Sequence, residues 1–284
     1  MTVAWRGLDT QSILKYGIMY ELLYQGVKLM LKSSEHQKLR LHGNSYLCAF
    51  VNAVCTSYYG VTFLVLLWSA PEESKALSGV DSAEPFFAET NGVRDAALPF
   101  IAWIVFDLIH VVTNFPELGS YDQLFHHAMF IILTCVSSAF GVCPFAGCWL
   151  FCGELSSMPL NIRWYLINSG QGATVWMTLT NIAFCVTFFA VRVLLYWFGL
   201  YGFLLETAPI LKNSGAPDFG VNIIAALLSA GAFLNVYWFL LIVKMATGLG
   251  KKGKKPKDSE TKRAGALEVS AVAGATSTSK TKAA

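Results

Sequence analysis

The 284-residue chain is 55% hydrophobic and 14% charged, with a mean hydropathy of +0.50. Soluble domains carry about 25% charged residues, so this composition excludes an ordinary soluble domain and favours a membrane protein. The formal net charge of +3 is misleading as an average, because a run of lysines lies in the last 37 residues. No basic face with interleaved aromatic residues is present, so a nucleic-acid partner is not predicted.

Apolar runs of about 20 residues predict six membrane-spanning helices, with a seventh left open. The six lie at residues 45–68, 98–115, 123–142, 145–167, 175–205 and 221–246. An earlier run at 12–31 is interrupted by Lys15, Glu21 and Lys28, so it forms either a first span or an amphipathic helix in the interface. The predicted fold is therefore an all-α, polytopic membrane helix bundle with six to seven transmembrane helices.

The chain divides into three predicted parts. Residues 1–44 form an N-terminal helix and a cytosolic loop, residues 45–247 form the transmembrane domain, and residues 248–284 form a Lys-rich cytosolic tail. The tail has too few apolar residues to bury a core, so it is predicted to be disordered. The span from 175 to 205 is too long for one upright crossing and is expected to tilt or break near Gly199 or Gly202.

Charged loops predict the orientation. Lys32, Lys38 and Arg40 precede the span at 45–68, and basic loops stay in the cytosol. The acidic loop at 71–95 is therefore expected in the lumen, and six crossings after the first basic segment return the tail to the cytosol.

The final five residues form a KxKxx pattern. Lys280 and Lys282 lie five and three places from the C-terminus, and this spacing matches a dilysine retrieval signal read by coat proteins. The alternative is that two lysines occur by chance in a Lys-rich tail. With a cytosolic tail, the pattern predicts a multi-pass protein of the endoplasmic reticulum membrane.

Ionisable and polar residues inside predicted spans are functional-site candidates because they are costly in hydrocarbon. The candidates for binding a lipid or another substrate are Asp107, His110, Glu154, Ser157, Asn161 and Arg163, beside the pair His126 and His127. The predicted topology places these ionisable groups in the cytosolic half of the membrane. Glu154 is expected to pair with a histidine or with Arg163, and Arg192 is expected to extend towards the lumenal headgroups.

Three ordered motifs resemble the TLC domain. They are FDLIHVV at 106–112, LFHHAMFIIL at 124–133 and GELSSMPLNIRW at 153–164. The chain resembles most the small TLC-domain-containing proteins of this family, which also includes translocating-chain-associating proteins, longevity-assurance ceramide synthases and the neuronal ceroid lipofuscinosis type 8 protein. The resemblance implies a helical, lipid-handling bundle of the endoplasmic reticulum. In the synthase branch a His-His pair is catalytic, and this role would fall on His126 and His127 as general base or acyl acceptor.

The sequence departs from the synthase pattern. Phe130 stands where those enzymes carry a threonine, and no histidine follows His127. Three hypotheses remain: a membrane protein that binds lipid or regulates membrane lipid composition, an acyl-CoA-dependent N-acyltransferase, and a trafficking adaptor. The missing downstream His-Asp pair favours the first over the second. No metal or cofactor is predicted, acyl-CoA would be a substrate of the second, and the lipid and the oligomeric state stay open.

Overall fold

The computed structural model describes residues 6–78 and 85–247. Over these residues the chain is almost entirely helical, with one isolated antiparallel bridge between Leu77 and Val142. The α-helices are α1 (Thr10–Leu31), α2 (Gln37–Leu67), α3 (Glu72–Ala76), α4 (Phe87–Thr113), α5 (Tyr121–Phe140), α6 (Pro144–Cys152), α7 (Ser157–Asn168), α8 (Val175–Thr187), α9 (Tyr196–Gly202), α10 (Ala208–Asn213) and α11 (Asp218–Thr247).

The predicted fold class, an all-α polytopic membrane bundle, is confirmed. Five helical segments in the described ranges are long and apolar enough to cross a membrane, and they are Gln37–Leu67, Phe87–Thr113, Tyr121–Phe140, Val175–Asn213 and Asp218–Thr247. The predicted span at 145–167 is instead divided into α6, a 3₁₀ turn at Gly153–Ser156 and α7. Pro159 lies in the first turn of α7, where its missing N–H removes no intrahelical bond.

Helix α1 extends along the whole height of the bundle. At one end the backbone N–H of Arg6 donates to the carbonyl of Ala139 at 2.7 Å. At the other end the Leu31 side chain lies against Gly43, near the start of α2. Because Ala139 and Gly43 mark opposite ends of the bundle, α1 crosses it fully, although its charged residues keep its hydropathy below that of the five spans.

The two ends of the bundle are held by different contacts. The end called the site end contains His42, which lies 3.9 Å from Glu117 in the connection between α4 and α5, and the Tyr165 hydroxyl, which donates to the carbonyl of Gly43. The other end, called the far end, contains the Leu77–Val142 bridge. Helices α1 and α11 both begin at the far end and finish at the site end.

The segment Val175–Asn213 is one continuous 39-residue helical rod and does not break at the glycines. It contains two π-helical stretches, Phe188–Leu195 and Phe203–Thr207, on either side of α9. Such stretches change the direction of side chains and are frequent at functional sites. Gly199 lies between them against the Trp149 indole, where a Cβ atom would come within 2.5 Å of the ring.

Two hydrophobic clusters fill the interior. The larger one includes residues of α1, α2, α4, α5, α6, α9 and α11, with Trp149 and Phe151 fully buried. A smaller one is formed by Phe184, Phe188 and Ile242, where the rod meets α11. The predicted tail, with Lys280 and Lys282, lies outside the described residues, as does part of the acidic loop.

Candidate functional site

A cavity of about 250 Å³ lies inside the bundle, between α2, α4, α5, α7, the rod and α11. Much of its wall is apolar, and its apolar members include Phe100, Trp103, Ile104, Leu160, Phe184, Phe188 and Ile242. Leu118 and Met245 also line it, so it extends towards the site end. An apolar cavity with a few polar groups is the usual form of a small-molecule site.

The cavity brings together seven of the eight intramembrane candidates named from the sequence. They are Asp107, His126, His127, Glu154, Ser157, Asn161 and Arg163. Their convergence follows from the chain path, since α4 ends, α5 begins and α7 ends at the site end. Glu154 lies deeper than Arg163 because it precedes Arg163 on a segment that runs towards that end.

His127 is buried on α5, and both of its ring nitrogens face protein oxygen atoms. Nδ1 lies 2.8 Å from the carbonyl oxygen of Gln123, and Nε2 lies 2.7 Å from Oδ2 of Asp107. Since a carbonyl oxygen only accepts, Nδ1 carries a proton and donates it. The short contact at Nε2 then holds a second proton between imidazole and carboxylate, and the pair has no net charge. His127 is therefore fixed in orientation, with no ring nitrogen left for a ligand.

His126 is placed differently from its neighbour. Its ring packs on Phe130, with centroids 4.6 Å apart, and edge-to-face on Trp238 at 5.2 Å. In the described part of the chain no hydrogen bond engages its ring nitrogens, and the side chain lines the cavity. His126 is thus the histidine of the pair whose nitrogens are available to a ligand.

Arg192 and Glu154 form a buried ion pair at the cavity wall. Nη2 of Arg192 lies 3.2 Å from Oε1 of Glu154 and also donates to Oγ of Ser157 at 3.2 Å, while Nε donates to Oγ of Ser156 at 2.8 Å. Arg192 is only 9% exposed. The expectation that Arg192 extends to the lumenal headgroups is therefore wrong, and so is the expected pairing of Glu154 with a histidine or Arg163. Burial of a charge requires such a partner and hydrogen bonds.

Arg163 and Asn161 are held by neighbouring groups. Nε of Arg163 donates to Oδ1 of Asn181 on α8 at 2.8 Å, and Nη2 lies 4.0 Å from the Met245 sulfur. The Asn161 side-chain amide donates to the Ser157 carbonyl at 2.7 Å. Arg163 therefore places a cation near the site end of the cavity.

His110, the eighth candidate, does not line the cavity. Its ring stacks on Tyr24 of α1 at 4.2 Å and contacts Phe106, and Nε2 lies 3.5 Å from Oε2 of Glu21. Residue 110 follows Asp107 by three positions, about 60° around the helix. Helix α1 covers that face, so His110 packs there while Asp107 faces His127.

Sequence reasoning missed some residues that line the cavity. Ser45 on α2 is 9% exposed, and its hydroxyl has no hydrogen-bond partner in the described residues. Trp238 on α11 contacts His126 and donates its indole N–H to Asp122 at 2.6 Å. A single serine or tryptophan in an apolar run carries no distinguishing signal. Among the described residues no cluster of three or more histidine, cysteine or acidic side chains is placed to hold a metal ion.

The fold and the cavity define a polytopic membrane helix bundle with a polar site inside it. A family model for the TLC domain matches residues 18–244, so the chain belongs to the TLC domain family, as its motifs predicted. The match starts within α1, in agreement with the packing of that helix on α2 and α4.

Two relatives support this assignment. An uncharacterized TLC domain-containing protein of Saccharomyces cerevisiae is 24% identical over 220 residues, covering 74% of this chain and 64% of the relative. TLC domain-containing protein 4-B of Danio rerio is 23% identical over 228 residues, covering 77% of this chain and 80% of the relative. This chain therefore matches less than two thirds of the length of the yeast relative.

Proposed function

We propose that the protein binds a membrane lipid in the cavity and thereby regulates membrane lipid composition. The observation that carries the proposal is one cavity with apolar walls and a set of polar groups inside a membrane bundle. Its volume of about 250 Å³ lies just below the usual range for ligand sites, about 300–1,000 Å³. Such a volume suits a headgroup and the start of one chain, with the remaining hydrocarbon in the bilayer.

The charges in the cavity favour an amphiphile over a purely apolar ligand. The His127–Asp107 and Arg192–Glu154 pairs are each neutral as a whole, yet each presents oriented polar groups. His126 and Ser45 add hydrogen-bonding groups that have no protein partner in the described ranges. Buried polar groups of this kind are stabilised when a bound molecule satisfies them.

The site end is proposed to face the cytosol, and the membrane is proposed to be that of the endoplasmic reticulum. Lys32 and Arg40 lie at the site end, and cytosolic loops carry an excess of basic residues. Because α1 and α11 finish at the same end, this orientation puts the start of α1 on the proposed lumenal side and the end of α11 on the proposed cytosolic side. A glycosylation acceptor added before residue 6 should be modified, and one added after residue 247 should not.

The lipid profile of cells that lack the protein tests the proposed function. Wild-type protein should restore the profile, whereas the double variant His126→Ala, His127→Ala should not. Ala49→Trp fills the cavity from α2, and Ala183→Trp adds the same ring to an exposed position of α8 as a matched control. Restoration by Ala49→Trp and by the double variant would refute a function of this cavity.

A second candidate function is acyl transfer from acyl-CoA to an amine. The observation that favours it is the cavity-facing His126, which could take a proton from the attacking amine or accept the acyl group. In that reaction His127 would not touch the substrate, because its nitrogens are bound to Gln123 and Asp107. Purified protein incubated with acyl-CoA and long-chain amines should form an amide, and His126→Ala should abolish it. A lipid binder without catalysis forms none.

A trafficking adaptor is the third hypothesis. It depends on Lys280 and Lys282, which lie outside the described residues. Replacement of both by serine should move the protein out of the endoplasmic reticulum if coat proteins recognise them. Unchanged localisation of that variant would exclude the retrieval signal and leave the cavity proposal untouched.

A further inference from the structure

Helices α5 and α11 meet along an antiparallel seam, and two of its contacts lie on either side of His126 along α5. Deep in the bundle, Gly231 of α11 lies against Met129 of α5, where a Cβ atom would come within 3.1 Å of the methionine methyl group. Towards the site end, the Trp238 indole N–H donates to Oδ2 of Asp122 at 2.6 Å. The two contacts are seven residues apart on both helices, which is two turns or about 10 Å.

His126 lies on α5 between these two contacts. Its ring is packed edge-to-face against the Trp238 indole, with centroids 5.2 Å apart, and it contacts Phe130 on the other side. The described residues provide no hydrogen bond to the ring of His126, so the aromatic rings that contact it limit its direction. Trp238 is the one of these rings that comes from another helix, so its position bears on the direction of the His126 ring.

Asp122 fixes Trp238 in turn. An indole N–H can only donate, and a carboxylate acceptor makes the hydrogen bond shorter and stronger than a neutral acceptor does. An acid in the first turn of α5 is also favourable for the helix dipole, but that role requires no contact with α11. The hydrogen bond across 116 positions of sequence shows that Asp122 has a tertiary role.

We propose that Asp122 and Trp238 are positioning residues that hold His126 towards the cavity and close the seam between α5 and α11 at the site end. The pair acts through His126 and is not required to touch a ligand. The importance of the His126 orientation for lipid binding rests on the proposed function, but the orientation itself does not. A test without any lipid therefore separates the two proposals.

Carbethoxylation by diethyl pyrocarbonate measures the access to each imidazole in the full-length protein in detergent. The reagent acylates a free ring nitrogen, and peptide mass spectrometry gives a rate for each histidine. In the wild type His126 should react faster than His127, whose nitrogens are both engaged. Asp122→Ala should raise the rate at His126 about tenfold, equivalent to about 1.4 kcal/mol, because the released indole uncovers one edge of the ring.

Further variants distinguish positioning from general loosening of the bundle. Asp122→Asn keeps an oxygen acceptor for the indole and should react within about twofold of the wild type, which would be rescue by a conservative change. Trp238→Phe removes the donor and should behave like Asp122→Ala. Because the two residues act as one pair, the double variant should react no faster than either single variant.

Matched controls come from the same chain. Asp218 is an acid in the first turn of α11 that lies near Lys212 and is largely exposed, so Asp218→Asn should leave the rate at His126 unchanged. The proposal is overturned if Asp122→Ala changes that rate less than twofold. It is also overturned if His110 and His127 accelerate in parallel with His126, which would indicate unfolding, or if Asp122→Asn reacts as fast as Asp122→Ala.

Discussion

The buried pair formed by Arg192 and Glu154 makes the most demanding stability prediction. Arg192 is 9% exposed and donates to Glu154 and two serine hydroxyls. Arg192→Met removes these donors but keeps an unbranched apolar side chain, and it leaves the partly buried Glu154 carboxylate without a cation. Removal of one partner of a buried pair costs about 3–5 kcal/mol, so the free energy of unfolding should fall by that amount.

The double variant Glu154→Gln, Arg192→Met identifies the cause of the loss. When both members of a buried ion pair are replaced by uncharged side chains, no unpaired charge remains and the stability often changes little. The double variant should therefore recover most of the loss. The free energy of unfolding of the single and the double variant is measured by reversible unfolding in mixed micelles with increasing dodecyl sulfate, followed by circular dichroism. Arg40→Met, at an exposed position of α2, should change the value by less than about 0.5 kcal/mol. A double variant less stable than Arg192→Met, or a single loss below about 1 kcal/mol, would refute the reasoning.

Two further predictions concern packing and capping. A Cβ atom at Gly60 would lie 2.6 Å from the backbone nitrogen of Cys152, so Gly60→Ala should destabilise the protein by about 1–3 kcal/mol. Gly26→Ala, in open space on α1, should raise the free energy of unfolding by up to about 1 kcal/mol. Equal melting temperatures for the Gly60→Ala and Gly26→Ala variants would contradict close packing at Gly60. Hydrogen bonds from Ser12 lower the pKa of Asp9 below its ordinary value of 3.8, so this cap stabilises α1 above pH 3.8 and the stabilisation is lost as the pH falls further. Asp9→Asn should remove this part of the pH dependence of the free energy of unfolding. An unchanged pH dependence below pH 3.8 in that variant would contradict the prediction.

The convergence of the site residues could be predicted from the sequence because it depends mainly on chain direction. Asp107 lies in the second half of one predicted span, His126 begins the next, and Arg163 lies near the end of the one after it. Consecutive helices in a membrane alternate in direction, so these positions meet at one end of the bundle. The cavity at the site end contains all three.

Arg192 was misplaced because of a helix boundary. The predicted span ended at residue 205, which put Arg192 towards the lumenal end. The rod in fact continues through Asn213 and is 39 residues long, so Arg192 lies near its middle. Its π-helical stretch also changes the side-chain direction from that of a regular α-helix, and neither feature is visible in hydrophobicity.

The distinct roles of His126 and His127 also required the structure. Adjacent residues on a helix point about 100° apart, so the sequence indicated that only one of them could face the centre squarely. It gave no means to decide which one, because the choice depends on Asp107 and Trp238 from two other helices. The structure leaves His126 as the residue with available nitrogens.

Native mass spectrometry of the purified protein tests the central claim most directly. Wild-type protein released from mild detergent should retain one lipid per chain, which collision should remove as a single species or narrow class. Ala49→Trp should lose this lipid, whereas Ala183→Trp should keep it. Equal lipid retention by both tryptophan variants, with both proteins folded, would contradict a lipid site in the cavity.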